Sequence, residues 1–132
     1  MDHETAFAKA FILSEKRARF SQYLADPRRR PEQLLRLGLA LPCLPERATV
    51  VPAAQDHPAE LEKLLRARGA GDRCHVIGAG LRSDGRELPL GEALRQVCLS
   101  GAGAILSCLP GRLAYYRPAA PGAGLLLERP QP

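Results

Sequence analysis

The chain has 132 residues, of which 45% are hydrophobic and 25% charged, and it carries a formal net charge of +5. A chain of this size and composition predicts a single domain over residues 1–132, and it excludes a disordered protein. No apolar run approaches the roughly 18 residues that cross a bilayer, and the acidic start of the chain does not resemble a secretory signal. We therefore expect a cytoplasmic protein with reduced cysteines and no membrane partner.

The positive charge is concentrated in the first third of the chain. Residues 9–36 contain eight basic and three acidic side chains, a net of +5, whereas the remaining residues contain 11 of each and sum to zero. Sixteen of the 19 basic residues are arginines, and Asn and Trp are absent, which is typical of a GC-rich, bacterial-like genome. Because such a genome favours arginine codons, the position of the charge is more informative than the arginine count.

Hydrophobic spacing predicts helices in residues 1–40, the basic helical segment. Apolar side chains at i, i+3 and i+4 indicate a helix over residues 4–24, either bent or divided by a second start at Ser14. A shorter helix is predicted over residues 31–37, and Gly38 stands where a helix typically ends.

Strands and helices alternate in the middle of the chain. A short strand is predicted over residues 49–51 and a second over residues 73–78. Between them, a leucine stripe indicates a helix over residues 57–68, with Asp56 as its N-cap. A further helix is predicted over residues 89–99, because Pro suits its opening turn.

Strands dominate the last third. Residues 104–108 and 113–117 predict a hairpin around a type II turn at residues 109–112, and residues 125–128 predict a final strand. Residues 129–132 are expected to be a frayed tail. The whole pattern predicts an α+β fold: N-terminal helices followed by a four- or five-stranded antiparallel or mixed sheet with two further helices.

The stretch HVIGAGLRSDG (residues 75–85) invites comparison with a dinucleotide-binding loop. Such a loop needs a third glycine where Ser83 stands, and a helix that begins directly at the loop. Here an Asp-Gly turn follows instead, at Asp84. The stretch therefore predicts a strand followed by turns, and we expect no nucleotide cofactor.

Metal-ligand spacings are absent from the sequence. Its four cysteines and three histidines form no CxxC, CxxH or HxxxH pair. Cys74 and His75 are neighbours, so on a strand they point to opposite faces. A zinc site would need ligands gathered by tertiary structure alone, and we expect no metal site.

A small hydrolase or thiol enzyme is one alternative function. Ser107 and Cys108 stand at the end of a predicted strand, next to a turn, which suits a nucleophile. His75 or His57 could act as the base, and Asp84 could orient it. No GxSxG or other nucleophile motif surrounds the two residues, and a small apolar cysteine in a strand usually belongs to the core.

The basic helical segment is the strongest functional feature of the sequence. Its cations could neutralise phosphates or an acidic protein surface, and Phe20 and Tyr23 could stack on bases if they were exposed. Their helical spacing favours a place in the core instead. We predict a small non-catalytic interaction or regulatory protein that binds an acidic protein surface or nucleic acid. The predicted partner-binding residues are Lys16, Arg17, Arg19, Arg28, Arg29, Arg30 and Arg36.

A homo-oligomeric structural subunit is the third possibility. In that case the terminal strand, residues 125–127, would pair with a second copy across a free sheet edge. A strictly monomeric protein in light scattering would count against this alternative.

Overall fold

The computed structural model describes residues 2–119 and 121–129. Within these residues the chain forms five α-helices and six strands. The helices are α1 (His3–Phe11), α2 (Ser14–Ala25), α3 (Arg30–Leu39), α4 (Pro58–Ala67) and α5 (Leu90–Ser100). The strands are β1 (Ala48–Val50), β2 (Arg73–Gly78), β3 (Glu87–Pro89), β4 (Ala104–Leu109), β5 (Leu113–Arg117) and β6 (Leu125–Glu128). Short 3-10 turns at Pro45–Arg47 and Ala53–Gln55 precede β1 and α4.

The six strands form one antiparallel sheet in the order β1-β6-β5-β4-β2-β3. The strands β4, β5 and β6 are consecutive neighbours and form a meander. Because β6 is hydrogen-bonded to β5 on one side and to β1 on the other, the expected edge pairing of residues 125–127 is wrong. Among the described strands, the edges are β1 and β3.

The sheet is covered by helices on both faces. Side chains alternate between two apolar clusters, as the period of two in a strand requires. In β2, Val76 packs in the cluster with α4 and α5, whereas Ile77 packs in the cluster with α1, α2 and α3. In β5, Tyr115 and Tyr116 divide between the clusters in the same way. The basic helical segment therefore forms one complete outer layer of the fold.

The predicted α+β class is confirmed, with N-terminal helices, a later antiparallel sheet and two further helices. The sheet has six strands rather than four or five. The additional strand is β3, whose three residues lie at the sheet edge and pair with the first half of β2. Because β3 is so short and contains Pro89, it has none of the alternation by which a strand is recognised in sequence.

The N-terminal helical region is divided into two helices, as one of the two predicted alternatives required. The break falls at Ile12 and Leu13, whose extended backbone ends α1 before α2 begins. Ile12 pairs with Cys43 in an isolated antiparallel bridge, so the connector after α3 returns along this junction.

Asp56 does not cap α4, although its position before the helix predicted that role. The N-cap residue is His57, which makes no side-chain capping bond. The Asp56 carboxylate instead accepts hydrogen bonds from the Tyr115 hydroxyl at 2.5 Å and from the Gly124 N–H at 3.0 Å. Asp56 therefore ties the loop before α4 to the meander.

The turn between β4 and β5 has the predicted geometry. Gly111 has a φ of +68°, and the N–H of Arg112 donates to the Leu109 carbonyl at 3.0 Å. Beyond β6, the N–H of Arg129 donates to the Arg112 carbonyl at 3.0 Å. The other residues of the expected frayed tail, 130–132, lie outside the described residues.

In the described part of the chain, no helix has both the length and the apolar character needed to cross a membrane.

Candidate binding surface

The helices α2 and α3 form an antiparallel hairpin on the outside of the fold. The turn between them is held by Asp26, whose carboxylate accepts from the Arg28 N–H at 2.9 Å. Its carbonyl accepts from the N–H groups of Arg29 at 3.0 Å and Arg30 at 2.8 Å. Pro31 then occupies the first turn of α3, where its missing N–H costs nothing. This local structure fixes the side chains of the basic run Arg28–Arg30 at the closed end of the hairpin.

Four of the seven predicted binding residues are exposed cations of this hairpin without a carboxylate partner in the described residues, and together they form what we call the basic surface: Lys16, Arg19, Arg28 and Arg29. Within residues 2–119 and 121–129, no carboxylate lies within 4.0 Å of their charged groups. Lys16 and Arg19 project from α2, and Arg28 and Arg29 from the turn. Their charges are therefore free to meet an anionic partner.

Two other predicted binding residues are engaged in local contacts. Arg17 donates to the carbonyls of Ala8 at 3.1 Å and Ile12 at 3.0 Å, at the carboxyl end of α1. The Ala8 carbonyl also accepts from the Ile12 N–H at 3.2 Å, and a cation at this end offsets the negative end of the helix dipole. Arg36 pairs with Glu32 one turn earlier on α3, at 2.7 Å. Arg17 thus caps the carboxyl end of α1, and the positive charge of Arg36 is partly neutralised by Glu32.

Arg30, the last of the seven, points into the fold. Its guanidinium binds both carboxylate oxygens of Glu4, at 2.6 and 2.9 Å, and both of Asp84, at 2.9 and 2.8 Å. It also donates to the Leu24 carbonyl at 3.1 Å. Only 19% of its side chain is exposed. Arg30 therefore joins α1, α2, α3 and the turn after β2, and it is unavailable to a partner.

We call Glu4, Arg30, His75 and Asp84 the Arg30 cluster. The imidazole of His75 donates from Nε2 to Glu4 at 2.8 Å. Burial acts to raise the pKa of Glu4, but the hydrogen bonds from His75 and Arg30 outweigh it and lower that pKa from 4.5 to about 2. The hydrogen bonds to Asp84 and Glu4 raise the pKa of Arg30. The cluster is consequently a compact set of charges that compensate one another.

His3 and Ser107 extend this polar region along the sheet. Nδ1 of His3 lies 2.7 Å from the Ser107 hydroxyl, and the His3 ring stacks on His75 with 5.2 Å between centroids. Burial, and then the neighbouring His75, lower the pKa of His3 below 6.5. Ser107 pairs directly with His75 across β2 and β4 but is only 1% exposed. A substrate has no access to its hydroxyl.

The candidate residues of the alternative enzyme do not all converge. Cys108 packs with Cys74 and α5 in the cluster on the opposite face of the sheet from His75. Burial raises the pKa of Cys108, and it raises that of Cys74 to about 12, so neither thiol is activated. Asp84, the expected orienting acid, binds Arg30 and the Gly78 N–H instead of His75. The structure brings together Ser107 and His75 but leaves out Cys108.

The two aromatic side chains of the basic segment are not available for base stacking. Phe20 is 2% exposed and packs against Phe7 at 6.2 Å between ring centroids. Tyr23 is half-buried, and the Arg29 guanidinium lies over its ring at 4.8 Å. Core packing therefore accounts for the helical spacing of these aromatics.

A groove of about 940 Å³ lies between α2 and α3. Apolar side chains of Leu13, Phe20 and Leu37 line it, and Leu41 and Pro42 from the returning connector complete that lining. Three cations also line the groove, namely Lys16, Arg19 and Arg36, against one carboxylate, Glu15. The basic surface thus adjoins a concave site with a mixed apolar and cationic lining rather than a flat helical face.

Sequence reasoning missed His3 and Glu4. Both stand in the first turn of α1, one turn before the buried Phe7 and Ala8, so they lie on the face of the helix that packs on the sheet. That spacing was the available signal. No group of three or more His, Cys, Asp or Glu side chains in the described residues has a geometry that could hold a metal ion.

Comparisons with known proteins do not suggest a function for this chain. No family model matches the chain, and neither a curated protein nor a solved structure gives a significant match.

Proposed function

We propose that the protein is a non-catalytic interaction protein of the cytoplasm that binds an acidic protein surface through the α2–α3 hairpin. The observation that carries the proposal is the basic surface, Lys16, Arg19, Arg28 and Arg29, whose four exposed cations have no carboxylate within 4.0 Å in the described residues. A cluster of one sign attracts an oppositely charged partner over a range of about 10 Å at 0.1 M salt.

The charge of the hairpin contrasts with that of the remaining surface. The hairpin, residues 14–39, holds seven basic and three acidic side chains, a net of +4, and the other residues sum to +1. Elsewhere, several exposed arginines are paired with nearby acids: Arg66 with Glu62, and Arg73 with Glu87. A soluble surface ordinarily intersperses both signs, so the imbalance at the hairpin favours a binding role.

A protein partner fits the hairpin better than nucleic acid does. Single-stranded nucleic acid is usually held by exposed aromatic rings as well as cations, and Phe20 and Tyr23 do not provide such rings. The adjoining groove has apolar side chains, which suit the apolar anchors of a protein interface.

The test is affinity capture from the native host, with and without nuclease, using three forms of the protein. The first form is wild type, and the second carries Lys16→Glu, Arg19→Glu, Arg28→Glu and Arg29→Glu. The third is a control with Arg95→Glu and Arg112→Glu, which lie on α5 and on the β4–β5 turn and are exposed. We expect a nuclease-resistant protein that wild type and control retain, that the fourfold variant loses, and that added salt releases.

Two results would overturn the proposal. Capture that disappears after nuclease treatment would assign the surface to nucleic acid. The same set of proteins on all three forms would show that the basic surface selects no partner.

A further inference from the structure

The groove between α2 and α3 is about as long as a helix of two turns. Its lining on α2 runs from Glu15 to Gln22, and on α3 from Gln33 to Ala40. At a rise of 1.5 Å per residue, each wall is about 10 Å long, which corresponds to about two helical turns. A segment of two turns would therefore occupy the groove over its length.

The walls of the groove favour a helix over an extended peptide. Both walls are helices, whose backbone N–H and C=O groups are already hydrogen-bonded within the helix. An extended peptide would leave its own backbone groups without partners against these walls, at a cost in free energy. A helix satisfies its backbone internally and needs only side-chain contacts.

The polar groups of the groove indicate the chemistry of the occupant. Lys16 and Arg19 stand at the groove without carboxylate partners in the described residues, and Arg36 has one exposed partner. Gln33 also lines the groove and is 8% exposed, so its side-chain amide is a further hydrogen-bond donor at the groove. An acidic helix would supply carboxylates to the cations and an acceptor to this amide.

We infer that the groove binds an acidic amphipathic helix of another protein, whose apolar face lies on the accessible Leu13 and Leu41 and whose carboxylates meet Lys16 and Arg19. This inference rests on the proposed function and adds the shape of the partner to it. Leucines at i, i+3 and i+7 of the partner would lie in the groove, and glutamates would flank them.

The test uses two fluorescent peptides of about 15 residues, long enough to form a helix on binding. Both contain the same leucines, glutamates and alanines, but only one places its leucines on a single helical face. Affinities are measured by fluorescence anisotropy. The protein forms are wild type, Lys16→Glu with Arg19→Glu, Ala18→Trp and Gln33→Leu. Ala18 is exposed at the groove, so a tryptophan there would occupy it. Ala59→Trp is the matched control on α4, where Ala59 is also exposed.

We expect the amphipathic peptide to bind wild type at least about tenfold more tightly than the rearranged peptide. Ala18→Trp should weaken the binding of the amphipathic peptide by about tenfold or more, Gln33→Leu by a smaller factor, and Ala59→Trp should leave it unchanged.

Equal affinity for the two peptides, or an Ala18→Trp variant that binds as wild type does, would overturn the inference. If binding still fell with Lys16→Glu and Arg19→Glu in that case, the proposed function would stand without the helical partner. If neither peptide bound wild type, the inference would fail, and the capture experiment would decide the proposed function separately.

Discussion

The arginines of a single run, Arg28 to Arg30, meet opposite environments. Arg28 and Arg29 are exposed at the hairpin turn, where the Arg29 guanidinium lies over the Tyr23 ring, whereas Arg30 turns inward and binds Glu4 and Asp84. The inner position holds α1, the hairpin and the turn after β2 together. The outer positions add charge without carboxylate contacts in the described residues. Consecutive residues of identical type at the turn before α3 therefore divide into a stabilising role and a proposed binding role.

The largest expected effect is the loss of Arg30. Arg30→Ala leaves two mostly buried carboxylates, Glu4 and Asp84, facing each other without a counter-ion. We expect the free energy of unfolding in urea to fall by about 3 kcal/mol. Arg30→Lys should recover only part of this, because one ammonium cannot form both bidentate contacts. Arg29→Ala is the matched control, with a change below about 0.5 kcal/mol. Equal losses at Arg29 and Arg30 would erase the contrast between the two environments.

The next effect is acid destabilisation through Glu4. The pKa of Glu4 is lowered from 4.5 to about 2, so its stabilising effect is present above pH 4.5 and is lost as the pH falls toward 2. After allowance for partial solvent screening, we expect a loss of about 2 kcal/mol over this range. In Glu4→Gln, which starts less stable, this part of the pH dependence should disappear from urea titrations. An unchanged acid limb in Glu4→Gln would show that other carboxylates govern it.

A smaller effect should come from His3 at a higher pH. Burial and the stacked His75 lower the pKa of His3 below 6.5, so stability is lost as the pH falls below 6.5. The neighbouring acids Asp2, Glu4 and Glu87 oppose this shift, so we expect a smaller loss than the one through Glu4. His3→Gln should remove it, whereas His57→Gln, on an exposed loop, should retain it. A profile that is the same for both variants between pH 7 and 5.5 would contradict the assignment to His3.

The smallest effect on stability should accompany a gain in binding. Glu32→Gln removes the exposed partner of Arg36 and should cost less than about 0.5 kcal/mol of unfolding free energy. It also adds a free cation to the groove, so the affinity for the acidic amphipathic peptide should rise. Glu60→Gln, which frees Lys63 on α4, is the control that should leave affinity unchanged. Weaker binding by Glu32→Gln would mean that Glu32 itself contacts the partner.

Hydrophobic spacing was sufficient to predict the α+β class and the longer elements. It placed β2 at residues 73–78 and β6 at residues 125–128, where the structure has them. These segments succeed because their apolar residues must be buried wherever the chain folds. The three residues of β3 have no such pattern, since an edge strand depends on its neighbour for hydrogen bonds.

The environment of the polar residues could not be predicted in the same way. Arg30 and Arg29 differ only in the direction in which the start of α3 presents them, and that direction is set by contacts with Glu4 and Asp84, 26 and 54 residues away. Similarly, the separation of Cys108 from His75 depends on the register of β2 with β4. Long-range pairing of this kind leaves no local signal in a single sequence.

The most direct test measures unfolding and peptide binding on the same two variants. For Lys16→Glu with Arg19→Glu, the exposed cations that line the groove, we expect a free energy of unfolding within about 0.5 kcal/mol of wild type and a marked loss of affinity for the acidic amphipathic peptide. For Arg30→Lys, we expect the reverse: lower stability, and an affinity of the folded protein close to that of wild type. Wild-type affinity in the Lys16→Glu, Arg19→Glu variant would contradict the claim that the exposed cations of the hairpin bind the partner.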